Sequence, residues 1–177
     1  MPDHVAGPRA WELHRRRNQS IIVDHFQGQY KSKLTCCHCN HSSVTFSPFT
    51  FLSLPVGRAR KVRLEDCIKA FSKTELVTGD DRWHCAKCKT RRDAKKSIGI
   101  WKLPRILVIH LKRFYFEGPF RSKLNTAVHY PTTNLQLGPH CLGKPPHNGG
   151  AYNLYGVANH IGDMNGGHYT AYCKNVQ

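Results

Sequence analysis

The sequence predicts an α+β domain, mainly antiparallel β, that carries a four-cysteine ribbon. Three observations lead there. From Ala94 onward the apolar residues alternate or run in short stretches broken by Gly and Pro, the pattern of strands and turns. Helical periodicity is confined to the first half, clearest in Leu64, Cys67, Ile68 and Phe71. Cys36-x2-Cys39 and Cys85-x2-Cys88 each sit in a polar turn at a strand end.

In chain order, residues 1–10 carry two prolines and no periodicity, so residues 1–19 read as a disordered or remnant segment ahead of a domain over 20–177. Trp11 to Phe26 suits a helix with Trp11, Ile22, Val23 and Phe26 as its apolar contacts. Gln29 to Leu34 alternates into the first cysteine pair. Ser43 to Pro55 is rich in Val, Phe, Thr and Leu and reads as one extended strand, with Pro48 marking a bulge or an edge. Glu65 and Asp66 open the Leu64–Phe71 helix at its positive end.

Residues 78–81 form a turn, and Trp83-His84 lead into the second cysteine pair. Ser97 to Leu103 forms a strand that Pro104 punctuates. The run Ile106 to Leu111 is apolar on both faces, as a central strand would be. Glu117-Gly118-Pro119 makes a turn, Val128 to Pro131 a short strand, and Gly138 to Gly150 a loop. Tyr152 to Asn159 and His168 to Lys174 complete the sheet.

The 177 residues suffice for one domain with a real core. No apolar run approaches the ~20 residues of a membrane span, and Met1 to Arg17 lacks a signal-peptide core. A reducing intracellular setting, cytoplasmic and/or nuclear, is therefore expected, where eight cysteines indicate metal binding or catalysis more than disulfides.

Four thiolates complete a tetrahedron around zinc at about 2.3 Å, and x2 spacing lets two sulfurs reach one ion from a single turn. Cys36, Cys39, Cys85 and Cys88 are accordingly read as the ligands of a closed, structural Zn2+ site. Cys37 is the poorer ligand, His38 and His41 are nearby alternatives, and His84 reads as a surface neighbour.

The net charge is +16, from 27 basic and 11 acidic residues, and zinc on four thiolates would leave about +14. Such a balance favours polyanions. The basic residues, however, fall in short scattered clusters, which suit solvated faces better than one binding stripe. A nucleic-acid partner is not expected.

The last block is Gly166-Gly167-His168-Tyr169-Thr170-Ala171-Tyr172, preceded by the loop Ile161 to Asn165. Glycines admit close backbone approach, and histidine is the usual general base near neutral pH. Taken alone, the block also suits a hairpin turn with a half-buried edge strand.

Together with Phe26-x-Gly28 before the cysteine pairs, Ile106 to Phe114, and Tyr152-Asn153-Leu154, this block resembles the ubiquitin-specific proteases, papain-like cysteine deubiquitinases, over about residues 20–175. The resemblance implies a hand-like papain-like fold whose fingers (about 29–95) carry the zinc and whose palm (about 96–177) presents His168 as general base. Most of the thumb would be missing. Gly166, Gly167 and Tyr169 would bind the C-terminal tail of ubiquitin, the implied partner along with ubiquitinated proteins.

The family's nucleophile box, Asn-x-Gly-Asn-Thr-Cys-Tyr, does not occur, nor does its Trp-x-x-Phe-Asp-Asp segment with the third catalytic residue. Cys173 and Asn175 would face away from His168 on the same strand, with Cys173 about 16 Å along it. Cys67 reads as core, and Cys141 in the loop is the one remaining thiol. The expectation is a deubiquitinase-family chain shortened at both ends and inactive alone. The alternatives are a non-catalytic ubiquitin- or regulator-binding relative and, behind it, a basic zinc-ribbon nucleic-acid binder.

Overall fold

The computed structural model describes residues 1–175 other than Pro119, so the proline of the expected 117–119 turn lies outside the described residues. The chain opens with two helices, α1 (Asp3–Asn18) and α2 (Ile21–Phe26). Strands β1 (Gly28–Cys36), β2 (Ser42–Phe49), β3 (Leu52–Pro55) and β4 (Lys61–Arg63) follow. After α3 (Leu64–Phe71) come β5 (Glu75–Val77), β6 (Trp83–Cys85), β7 (Thr90–Arg92) and β8 (Ala94–Lys102). The second half holds β9 (Ile109–Lys112), β10 (Phe114–Glu117), β11 (Phe120–Lys123), β12 (Ala127–His129), β13 (Leu135–Gln136), β14 (Ala151–Tyr152), β15 (Gly156–Gly162) and β16 (Gly167–Cys173).

A four-stranded antiparallel sheet in the order β2-β1-β8-β5 forms the frame. Pro48, which has no N–H to give to a ladder, lies in β2 at the sheet's edge, where that lack is tolerated. One face of this sheet packs on the core. Tyr30 stacks on Phe49 at 4.1 Å and meets Phe71 of α3 at 5.4 Å. Leu52, Leu54, Ile68, Ile100 and Leu137 are wholly excluded from solvent in that core. Helix α3 forms where its 3-4 apolar spacing expects, burying Leu64, Cys67 and Ile68.

The opposite face carries α1, and here the sequence reading needs correction. Of residues 1–10, expected to be disordered, all from Asp3 onward belong to a helix. The expected single helix from Trp11 to Phe26 is instead two. Gln19 and Ser20 are extended between them, and the Ser20 hydroxyl caps α2 by accepting from the Val23 N–H at 3.2 Å. Helix α1 is anchored at several points. The buried Gln29 amide donates to the Gly7 carbonyl at 3.1 Å. Asp3 pairs with Lys31, and the Lys102 ammonium lies 3.9 Å from the Trp11 ring centroid.

Three further expectations change. The strand read over Ser43 to Pro55 breaks at Thr50-Phe51 into β2 and β3. Tyr152 to Asn159 likewise splits into β14 and β15. The apolar run Ile106 to Leu111 is not a central strand. Its Ile106 N–H donates to the His25 carbonyl, and the Val108 carbonyl accepts from Leu52 N–H, so its first residues bridge two elements. Only Ile109 to Lys112 pairs, in parallel with β3. A second parallel pair joins β12 to β4, while the other ladders are antiparallel.

Candidate functional site

Two places collect the chemistry-bearing residues. The first is the far end of the β1–β8 sheet. There β1 delivers Cys36 to a turn, and the hairpin of β6 and β7 delivers Cys85 to another. The two turns are built alike. The residue four after the first cysteine adopts a left-handed conformation, Asn40 at φ 56° and Lys89 at φ 54°. Its N–H donates back to that cysteine's carbonyl, at 3.1 Å for Asn40 and 2.8 Å for Lys89.

The four Sγ atoms of Cys36, Cys39, Cys85 and Cys88 lie within 4.8 Å of one another, with Cys39 and Cys85 at 3.6 Å. A tetrahedral zinc–thiolate site has sulfur–sulfur edges of ~3.8 Å, so the donor set fits a metal ion in number, type and spacing. The thiols also differ in proton affinity. The backbone N–H groups of Cys39 and His38 help hold the Cys36 thiol down to about 7. Hydrogen bonding to the Cys39 thiol pushes Cys88 up to about 12. Four crowded thiols cannot all ionise without a cation between them. His38 reaches the Cys88 sulfur through Nδ1 at 3.7 Å, while Cys37 is exposed.

The second place is the ribbon of β15 and β16, which pair only with each other among the described residues. Its turn is held by Asp163 N–H donating to the Gly166 carbonyl at 3.0 Å and by Asn165 N–H donating to the Asp163 carboxylate at 2.7 Å. Gly166 faces open space. Gly167 does not, because a Cβ there would lie 2.3 Å from the Ile161 carbonyl oxygen and 2.5 Å from His160 Nε2. His168 is exposed and pairs across the ribbon with Ile161. Tyr169 is 69% exposed on the other face, its ring 4.7 Å from that of His160. His160 and Lys123, which bonds it across 37 positions at 3.1 Å, were missed by sequence reasoning. No periodicity or spacing links the two.

The remaining thiols sit elsewhere. Cys67 is in the core, where burial pushes its thiol up. Cys141, expected in a flexible loop, bridges to Ile100 and donates its thiol to the Trp101 carbonyl at 3.3 Å. Burial raises it as well. Cys173 is exposed at the end of β16 opposite Gly156, on the face that His168 does not share. Asn175 lies past the end of that strand. The described residues therefore place no thiol against His168.

Comparison with known proteins identifies the family. A family model described as ubiquitin carboxyl-terminal hydrolase matches residues 3–177, so helix α1 falls within the match. Ubiquitin carboxyl-terminal hydrolase 2 of Gallus gallus is 42% identical over 176 residues, covering 98% of this chain and 49% of that protein. Ubiquitin carboxyl-terminal hydrolase Usp2 of Drosophila melanogaster is 41% identical over 174 residues, covering 98% of this chain and 18% of its own length. The chain thus spans half or less of these relatives.

Among solved structures, the SAGA Ubp8/Sgf11/Sus1/Sgf73 DUB module bound to ubiquitin aldehyde superposes with a TM-score of 0.74 at 32% identity. That match covers 96% of this chain and 39% of that one. The module bound to monoubiquitin gives 0.73 at 35% identity, covering 89% and 35%. The family match runs over nearly the whole chain, and the solved structures share its mostly antiparallel fold. The chain belongs to the ubiquitin carboxyl-terminal hydrolase family, the cysteine-type deubiquitinases of ubiquitin-specific protease fold.

Proposed function

We propose that this chain forms fingers (about 29–95) and palm (about 96–177) of a ubiquitin-specific protease domain and binds ubiquitin or ubiquitinated protein. Cys36, Cys39, Cys85 and Cys88 hold zinc, which with four protein ligands serves structure and leaves no open position for catalysis. Gly166, Gly167 and Tyr169 line the channel for the ubiquitin tail, and His168 occupies the general-base position beside it. The observation that carries the reading is the 0.74 TM-score to a module bound to ubiquitin aldehyde.

A thiol protease needs thiol, base and orienting group within hydrogen-bond reach. With no thiol of the described residues placed against His168, this stretch contributes ubiquitin binding and the general-base position rather than the nucleophile. Eight free cysteines support a reducing location, cytoplasmic and/or nuclear. Among the described residues no helix is long and apolar enough to cross a membrane.

Calorimetric titration of ubiquitin into the zinc-loaded chain, at low and high salt, tests the binding. Saturable one-to-one binding that survives salt supports the reading, and a folded chain that ignores ubiquitin sinks it. Affinity for nucleic acid that collapses with salt would favour the basic-ribbon alternative. A thiol-directed ubiquitin probe tests the lack of a nucleophile, and labelling at any cysteine restores the enzyme.

A further inference from the structure

The turn that carries the glycines is held from outside its own ribbon. At the end of β11, the Lys123 ammonium donates to the Gly162 carbonyl at 2.7 Å, to the His160 carbonyl at 3.0 Å and to His160 Nδ1 at 3.1 Å. An ammonium has three N–H donors and no acceptor, so these contacts use its full capacity on one short segment. For Nδ1 to accept, the His160 ring must be neutral with its proton on Nε2. That ring then covers Gly167, where a Cβ would lie 2.5 Å from Nε2, and sits 4.7 Å from the ring of Tyr169. Phe114 closes the other side, its ring 5.6 Å from His160 and 5.9 Å from the Lys123 nitrogen.

These contacts cluster at the turn end of β15, not along its length. Gly162 opens the turn in a left-handed conformation, φ 124°, and is the last residue of β15, opposite Gly167. Because β15 and β16 pair only with each other among the described residues, ladder hydrogen bonds do not tie this turn to the rest of the sheet. Lys123 does so through two carbonyls. Through the imidazole it also fixes the space over Gly167 and Tyr169.

We propose that Lys123 is a positioning residue that sets the Gly162–Gly167 turn and the His160 ring over it, and so shapes the wall of the tail channel. The proposal rests on the ubiquitin reading above for the word channel alone. Lys123 itself meets the turn and not the tail.

The test compares Lys123→Met and Lys123→Arg with the parent, each zinc-loaded, by nitrogen-15 NMR and amide exchange. In the parent, His160 should show a single tautomer protonated at Nε2. In Lys123→Met that signature should become a tautomer mixture. Amide exchange of residues 162–168 should accelerate by about tenfold or more, since the variant loses all three bonds of the ammonium and one charge-assisted bond alone is worth about that factor. Exchange in β1 and β8 should not change. Lys123→Arg, which keeps a cationic donor, should restore protection at the turn, and ubiquitin affinity should fall about tenfold in the Met variant only.

An unchanged His160 tautomer and turn in Lys123→Met overturn the proposal. So does loosening that spreads equally through β1 and β8, which would make Lys123 a staple of the fold. Parent ubiquitin binding that the Met variant keeps in full also overturns it. If the NMR signatures appear while the parent ignores ubiquitin, the clamp on the turn stands and the ubiquitin reading fails.

Discussion

Replacing Gly7 by alanine sets two effects of known size against each other. Inside an exposed helix the change would stabilise by about 1 kcal/mol, because glycine is the poorer helix former. Here the new Cβ would lie 2.3 Å from Trp101 Nε1 and 2.8 Å from Cε2, closer than real contacts allow. The indole has little room to yield. Phe46 meets it edge-on at 5.1 Å, and the Lys31 ammonium lies 5.7 Å from its ring.

Helix α1 must therefore lift. Overpacking of this kind costs about 1–3 kcal/mol. Lifting also stretches the bond from Gln29 to the Gly7 carbonyl, and Gln29 is only 2% exposed, so its amide would lose a partner at a further cost of about 1–3 kcal/mol. Set against the propensity gain of about 1 kcal/mol, the expected outcome is a net loss of about 1–5 kcal/mol, concentrated in α1. Amide exchange should show α1 deprotected while α3 keeps its protection, and denaturant unfolding should begin earlier. An alanine variant as stable as the parent, with the Trp101 ring resonances unmoved, would refute the close-packed docking of this helix.

Four other outcomes are expected. Chelation, or Cys85→Ala, should release the bound metal and deprotect residues 36–41 and 82–92 while leaving the Leu52–Leu54–Ile68 core folded. Cys37→Ser should retain one zinc per chain, and metal analysis with exchange decides both. Burial pushes the Tyr30 and Tyr152 phenols each up to about 12. In the unfolded chain they ionise near 10, so the stability they confer is complete below pH ~10 and is lost as pH rises through about 12. Tyrosinate absorbance should show two of the seven tyrosines titrating late, together with unfolding. Ile68→Ala, at a site wholly excluded from solvent, should cost about 2–5 kcal/mol in denaturant unfolding.

Features written locally were legible in the sequence. Helix α3 follows from apolar spacing alone, and the cluster of four cysteines that could hold a metal follows from paired x2 turns whose geometry is local. The first half of helix α1 was not legible, because Gly7 and Pro8 both argue against a helix by propensity. What holds it is the absence of a Cβ beneath an indole 94 positions away, a tertiary reason that no window reveals. The run Ile106 to Val108 misled in the opposite sense. Its composition is that of a strand, yet its backbone bonds go to His25 on one side and Leu52 on the other. At the Gly-Gly-His turn, the sequence offered the glycines and the histidine but not the lysine that holds them. An ammonium reaching across from another hairpin leaves no periodic trace.

The paired cysteine turns also bear on how the chain folds. Cys39 and Cys85 are 46 positions apart, and the chain between them forms β2 to β5 with α3. An ion gripping both turns ties off that loop, as a cross-link of the same span would. Closing a loop of this length removes chain entropy worth about 4 kcal/mol from the unfolded ensemble. A disulfide could achieve this only where thiols become oxidised. Thiolates on a metal achieve it in a reducing medium, and the tie opens when the ion is withdrawn.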